Sequence, residues 1–348
     1  MKDTFLDANF PKTADGRVYH LGLRMGEVAN RIIAVGPPSR AEDIATFLDE
    51  RSEDLFRLTS ERAFLTITGH YKGVPVSIVS IGMGNPNMDF VVREVRECVQ
   101  GDMLMVRIGS CGCLDESLPV GSLVVPSASV AVNRNYDFDF QSSPSNDNAY
   151  LISKPVIALS TSNNAPSVCP EPEPAVEIKC NTVNASADSF YSSQGRLTSF
   201  LDHNEDLIER LQARVPNLST LEMETFHLFH LASVWRPRPL EGNHLTIPPT
   251  NLPVDPTISP RSSKFTALPS SPAQAKSINL HSESAPAARI RAAAVHMVFA
   301  NRITGDFVTP ERAESLQKWA GEKVLQALAG FAVDASRLHP EEGSVWES

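Results

Sequence analysis

Nothing in the 348-residue chain runs apolar for the ~18 consecutive positions that a membrane-crossing helix needs, so no spanning segment is expected. Basic charge is short as well: 31 lysines and arginines stand against 41 acids, giving a net charge of -10 and a pI near 5.4. That balance excludes sequence-independent nucleic-acid binding, which needs a basic footprint, so any bound anion must be held locally. Cysteine is scarce and odd in number, and Cys98, Cys111, Cys113, Cys169 and Cys180 show no paired C-x-x-C spacing. No metal and no cofactor is therefore expected. Cys111 and Cys113 read as small loop residues before metal ligands or reactive thiols. The first ten residues mix acids with apolar side chains and lack a basic-then-apolar leader pattern, which places the expectation in the cytoplasm.

What the chain does have is a 42% hydrophobic content, enough for a sizeable core, and one stretch that organises the rest, Met103–Cys113 (MLMVRIGSCGC). Leu104 and Val106 need burial, while Gly109 and Gly112 permit backbone torsions and close approaches that a Cβ resists. The pattern predicts an apolar strand entering a tight loop. N–H groups of such a loop can converge on one anion, and Arg107 adds a planar, permanently charged fork that fits phosphate. Read alone, the stretch fits an ordinary buried turn equally well.

Other segments add to it. Arg31–Val35 is a compact strand ended by Gly36-Pro37-Pro38-Ser39-Arg40, with Ser39 placed to cap the next helix. Two β-rich runs, 63–69 and 74–81, form a hairpin, and Gly82–Pro86 opens a helix with Val91, Val92, Val95 and Cys98 on one face. Strand, glycine loop, helix and strand is βαβ order, which predicts an α/β fold with mainly parallel strands and ligand loops at their carboxyl ends. Asp202 and Glu205 resemble a capping box, and Leu221–Glu224 reads as the start of a helix running to Trp235. Glu222 and Glu224 are there either a solvated helix start or buried carboxylates that need donors. A last helix spans 310–331, and the tail, 332–348, reads as polar and loose.

Two stretches break the pattern. Residues 160–174 carry no periodicity, and 236–288 hold ten of the 26 prolines with many serines and threonines. Neither buries enough apolar surface to offset its ordering entropy, so both read as inserts, the second disordered. Its composition fits a loop peculiar to this chain or a translated intron.

The order of motifs resembles the nucleoside phosphorylase family of the hexameric or trimeric type, and within it the uridine phosphorylase branch. The matching pieces are HLGL at His20, GPPSR at Gly36, RAFLTITGHYKG at Arg62, GMGNP at Gly82, RIGSCG at Arg107, NASADSFYSSQGR at Asn184, EMET at Glu222 and ANR at Ala300. The resemblance implies a single α/β domain over 1–348, with a mixed central sheet flanked by helices. It implies phosphorolysis of uridine with inorganic phosphate to uracil and ribose 1-phosphate.

By that resemblance Gly36, Arg40, Arg107 and Ser110 hold phosphate, and a neighbouring subunit supplies Arg62. Met223 and Glu224 hold the ribose with Glu222 in support, and His20 reaches the 5′-hydroxyl across a dimer interface. Phe190, Gln194, Arg196 and Arg302 meet the base, and Arg40, Arg62, Arg107 and Arg302 carry the catalytic charge. A homodimer is then the smallest active unit and a homohexamer the expected assembly. Pro37 stands where the family often has an acid, which predicts weaker ordering of that turn. A purine nucleoside phosphorylase or a nucleosidase of the same fold is the alternative within enzymes; a non-catalytic nucleoside-binding or scaffold protein is the alternative outside them.

Overall fold

Short apolar strands separated by glycine and proline turns build the first half of the sheet in the computed structural model, which describes residues 5–141, 149–158, 176–236 and 288–347. β1 (Arg31–Val35) runs into α1 (Pro38–Ala45); β2 (Phe56–Thr59), β3 (Leu65–Tyr71) and β4 (Val74–Ser80) follow, then α2 (Asn85–Cys98) and β5 (Met103–Cys113). β4 and β5 lie on either side of β1 and parallel to it, so β4–α2–β5 is the crossover that the βαβ order predicts. β3 and β4 form the expected hairpin.

The second half adds β6 (Leu123–Arg134), β7 (Tyr150–Ile152), β8 (Val156–Ile157), β9 (Ile178–Ala187), α3 (Leu207–Arg214), β10 (Leu218–Glu222), α4 (Thr225–Val234), β11 (Ile290–Asn301) and α5 (Pro310–Gly330). The order across the sheet is β10-β9-β6-β11-β5-β1-β4-β3-β2, and β10 also pairs with β5. β5, β11, β6, β9 and β10 thus close into a ring. β5 belongs to both parts: Leu104–Ile108 pair with β1, and Gly112 and Cys113 pair with β10.

Strand β1 is buried on both faces, as a central parallel strand must be. Ile32 and Ala34 pack with Val91, Val95, Leu228 and Phe229 of α2 and α4. Ile33 and Val35 pack on the opposite face with Ile44 of α1 and Leu316, Val324 and Leu328 of α5. No helix among the described residues is long and apolar enough to cross a membrane.

Several local expectations are corrected. Residues 109–113 are not a loop but the continuation of β5, because β11 and β10 supply the ladder partners that keep it extended. Ser39 does not cap α1; Pro38 opens the helix, Pro37 precedes it, and Ser39 already lies inside. Asp202 caps nothing either: it is buried against Arg134, its carbonyl accepts from Tyr150 Oη at 2.8 Å, and α3 begins only at Leu207. Glu222 ends a strand and Glu224 precedes a helix, rather than both sitting on one helix. The tail is not loose over 332–347: Trp346 is 3% exposed, and Val345 N–H donates to the Gly26 carbonyl at 2.8 Å. The insert expected at 160–174 lies outside the described residues, as does the one expected at 236–288 apart from Arg236 and Ala288.

Candidate active site

The carboxyl ends of β1 and β4, the far half of β5, the β10–α4 junction and the turn after β9 surround a cavity of ≈ 480 Å³. Its wall includes Gly36, Arg40, Arg107, Ser110, Phe190, Gln194, Arg196, Glu222, Met223 and Glu224. Ten of the thirteen residues singled out from the sequence therefore meet at one place. Gly36 and Gly82 are brought side by side where β1 and β4 end, Gly82 N–H donating to the Gly36 carbonyl at 2.9 Å.

Arg107 is the electrostatic centre. It is 6% exposed, and its Nη2 donates to Glu224 and lies 3.5 Å from Glu222. Its Nε and Nη1 are buried and have no hydrogen-bond partner among the described residues. A buried guanidinium with unmet donors is costly unless an acceptor arrives, so this one is poised for an anion. The strand makes room for it at one position: a Cβ on Gly109 would stand 1.6 Å from Arg107 Nη1.

The two carboxylates beside Arg107 differ. Glu222 is saturated: it accepts from Asn184 Nδ2 at 2.7 Å, from the Ser186 hydroxyl, from Glu224 N–H at 2.9 Å and from Thr225 N–H at 3.0 Å. Burial pushes its carboxyl up, but Arg107, His296 and these donors outweigh burial and hold it below the ordinary range. Glu224 accepts from Gly84 N–H at 2.5 Å as well as from Arg107. Its carboxyl is raised, by burial first and by Glu222 next, against the pull of Arg107. Gly84 reaches it in a backbone conformation, φ 95° and ψ 156°, that only glycine adopts readily.

Arg40 comes from α1. Its Nε donates to Gln317 Oε1 at 2.7 Å and its Nη1 to the Ile108 carbonyl at 3.3 Å. Burial and the nearby Arg107 lower its pKa to about 10, which still leaves it charged at neutral pH.

At the other end of the cavity Gln194 sits in a 3-10 turn, 2% exposed. Arg196 lies over the Phe190 ring at 4.1 Å and donates from Nε to the Phe190 carbonyl at 3.1 Å. Arg302 is not part of the cavity wall; its Nη1 and Nη2 donate to the carbonyls of Gln194 and Gly195. His20 and Arg62 also lie off the wall. The His20 ring stacks on Phe90 at 3.8 Å with Nδ1 2.6 Å from Glu94, and Arg62 Nη2 donates to Tyr19 Oη at 2.9 Å.

A polar layer behind the wall was not foreseen. His296 is fully buried, its Nδ1 3.0 Å from Thr220 Oγ1 and its Nε2 2.8 Å from Thr225 Oγ1. Thr220 donates on to Asn184 Oδ1 at 3.0 Å, so its hydroxyl accepts from His296 Nδ1–H, and Nε2 accepts from Thr225. Asn184 then turns its amide nitrogen to Glu222. The signal available was a lone histidine inside the apolar run 290–300. Gln317 had none, being one polar residue among many on a surface helix.

A family model described as the phosphorylase superfamily matches residues 30–234. A uridine phosphorylase of Thermococcus kodakarensis is 29% identical over 241 residues, 68% of this chain and 79% of its own. A DeoD-type purine nucleoside phosphorylase of Geobacillus kaustophilus is 36% identical over 118 residues, 33% of this chain and 48% of its own. A solved structure from a study of two diverse uridine phosphorylases in the oomycete Phytophthora capsici is 36% identical, with a TM-score of 0.71 over 95% of this chain and 100% of that one. A Trypanosoma brucei nucleoside phosphorylase that shows uridine phosphorylase activity shares the fold, with a TM-score of 0.61 at 19% identity over 92% of this chain and 99% of its own.

Proposed function

The chain belongs to the phosphorylase superfamily, and from that membership we propose that it cleaves uridine with inorganic phosphate to uracil and ribose 1-phosphate. It is a pentosyltransferase; the choice of nucleoside is the step being proposed. One observation carries the reading: Arg107, with two buried donors that have no partner among the described residues, lines the same cavity as Arg40, Ser110, Gly36 and Gln194. A nucleoside-binding protein has no use for an anion cage, and a hydrolase has no use for two buried arginines around the nucleophile.

Phosphate lies between Arg40 and Arg107 with one oxygen aimed at C1′. As the C1′–N1 bond breaks, the sugar takes on oxocarbenium character and the bonding electron pair leaves with the base. The phosphate oxygen bonds to C1′, giving ribose 1-phosphate. The Gln194 amide both donates and accepts, so it matches N3–H and a carbonyl of uracil, and Arg196 donates to the anion that leaves. The uracil anion takes its proton from water. Glu224 accepts from ribose hydroxyls beside Met223, while the saturated Glu222 holds Glu224 in place.

Purine nucleoside phosphorylases are also among the relatives, but the carboxylates on this cavity wall are Glu222 and Glu224, both beside Arg107. Among the described residues, those lining the cavity beside Gln194 and Arg196 offer a purine N7 no acid. Arg62 and His20 complete the site from a second copy in this reading. It is supported by their place off their own cavity wall and by Tyr19, which contacts both. A homodimer is then the minimum active unit, and a homohexamer its assembly.

Uracil release from uridine, followed with and without phosphate and beside inosine, tests the proposal. Phosphate-dependent release from uridine alone is expected. Release without phosphate, or preferred turnover of inosine, would overturn it.

A further inference from the structure

We propose that Gln317 is a positioning residue that sets the affinity for phosphate by holding Arg40 with a neutral group. The inference rests on the phosphate site just described. Arg40 is 5% exposed and lines the cavity, yet among the described residues its side-chain hydrogen-bond partners are uncharged oxygens, Gln317 Oε1 at 2.7 Å and the Ile108 carbonyl at 3.3 Å. Arg107, by contrast, already faces Glu222 and Glu224. Both carboxylates lie beside Arg107, so the positive charge offered to a phosphate dianion is the one that Arg40 presents without an ion pair. Gln317 keeps it unpaired. A carboxylate in the same place would neutralise Arg40 and repel the dianion.

Helix packing fixes the contact. Arg40 and Ile44 are one turn apart on α1, as Gln317 and Gly321 are on α5. Ile44 fills the space at Gly321, where a Cβ would stand 2.5 Å from Ile44 Cγ1. The absent side chain at 321 lets α5 close on α1 and sets Gln317 against Arg40. Gln317 is not on the cavity wall, so it acts through Arg40 rather than on substrate.

Inorganic phosphate titrated calorimetrically into the full chain, its Gln317→Glu variant and its Gln317→Met variant tests this, with steady-state KM values for phosphate and uridine alongside. Gln317→Glu is expected to weaken phosphate binding about 10-fold or more while KM for uridine moves by less than about 2-fold. Gln317→Met, which loses orientation without adding charge, is expected to weaken it about 3-fold. Wild-type phosphate affinity in Gln317→Glu overturns the inference and leaves the proposed function standing, as does an equal rise in both KM values, the mark of general distortion. A wild-type protein that binds no phosphate overturns both together.

Discussion

Arg302 donates from Nη1 to the Gln194 carbonyl at 3.0 Å and from Nη2 to the Gly195 carbonyl at 3.3 Å, so it shapes the turn that presents Gln194. Gly112 leaves it room, since a Cβ there would stand 3.2 Å from Arg302 Cγ. Replacing Arg302 by alanine frees two carbonyls and loosens the turn. The expected result is a fall of about 10–100-fold in kcat/KM for uridine, equivalent to losing one or two charged hydrogen bonds, with KM for phosphate unchanged. Steady-state kinetics with each substrate varied in turn decides it. A rise in KM for phosphate alone would place Arg302 in the anion site instead.

Gly109 is the second position where a small change has a large consequence. Its missing Cβ is the space that Arg107 Nη1 occupies. Gly109→Ala should therefore displace the guanidinium and reproduce the Arg107→Ala defect, a loss of about 100-fold or more in kcat as for other preorganised anion sites. The strand backbone itself tolerates alanine, so circular dichroism should stay close to wild type, while the melting temperature should fall because Glu222 and Glu224 lose their buried counter-charge. A Gly109→Ala protein with normal turnover would mean that Arg107 does not need its present position.

How much of this was legible depended on how local the cause was. β1, the β3–β4 hairpin, α2 and α5 follow from contiguous apolar periodicity and from turn residues such as Lys72-Gly73. Residues 109–113 misled because glycines that usually mark loops here mark close approach: the reason for Gly109 is Arg107, and the reason for Gly112 is Arg302. Long-range pairing with β10 and β11 keeps the segment extended, and no local pattern announces it. Glu222 and Glu224 were readable as a pair but not as unequal partners. Their difference lies in Asn184, Ser186 and Gly84, which are distant in sequence. The roles proposed for Arg40, Gln194 and Glu224 came through resemblance of short motifs, whereas Gln317 and His296 carry no motif at all.

His296 gives the protein a specific acid sensitivity. Burial holds its pKa down to about 4 from an ordinary 6.5, with Arg107 acting the same way and Glu222 opposing. The folded state thus resists a proton that the unfolded chain accepts. Stability from this group is fully present above about pH 6.5, is lost progressively as pH falls, and is gone near pH 4, a change on the order of 3 kcal/mol. Protonating Nε2 would also cost the bond from Thr225. His296→Gln should be less stable at pH 7 but should lack this acid-side decline. Denaturant midpoints measured from pH 7 to pH 4 for both proteins decide it; parallel curves would remove His296 as the cause.

The placement of Arg62 and His20 leads to a test that needs no new structure. Neither reaches its own cavity wall, while Arg107 sits on it, so each site should draw Arg107 from one copy and Arg62 from another. An Arg62→Ala chain and an Arg107→Ala chain are then each inactive alone. Mixed and reassembled, they form oligomers in which one site carries both defects and another carries none. Random pairing should restore about one quarter of wild-type activity, because about half the dimers are mixed and half of their sites are intact. Recovery should follow subunit exchange and vanish when the oligomers are crosslinked before mixing. If the mixture stays inactive after exchange is shown by mass, Arg62 and Arg107 act within one chain, which would require residues 60–64 to move onto the cavity.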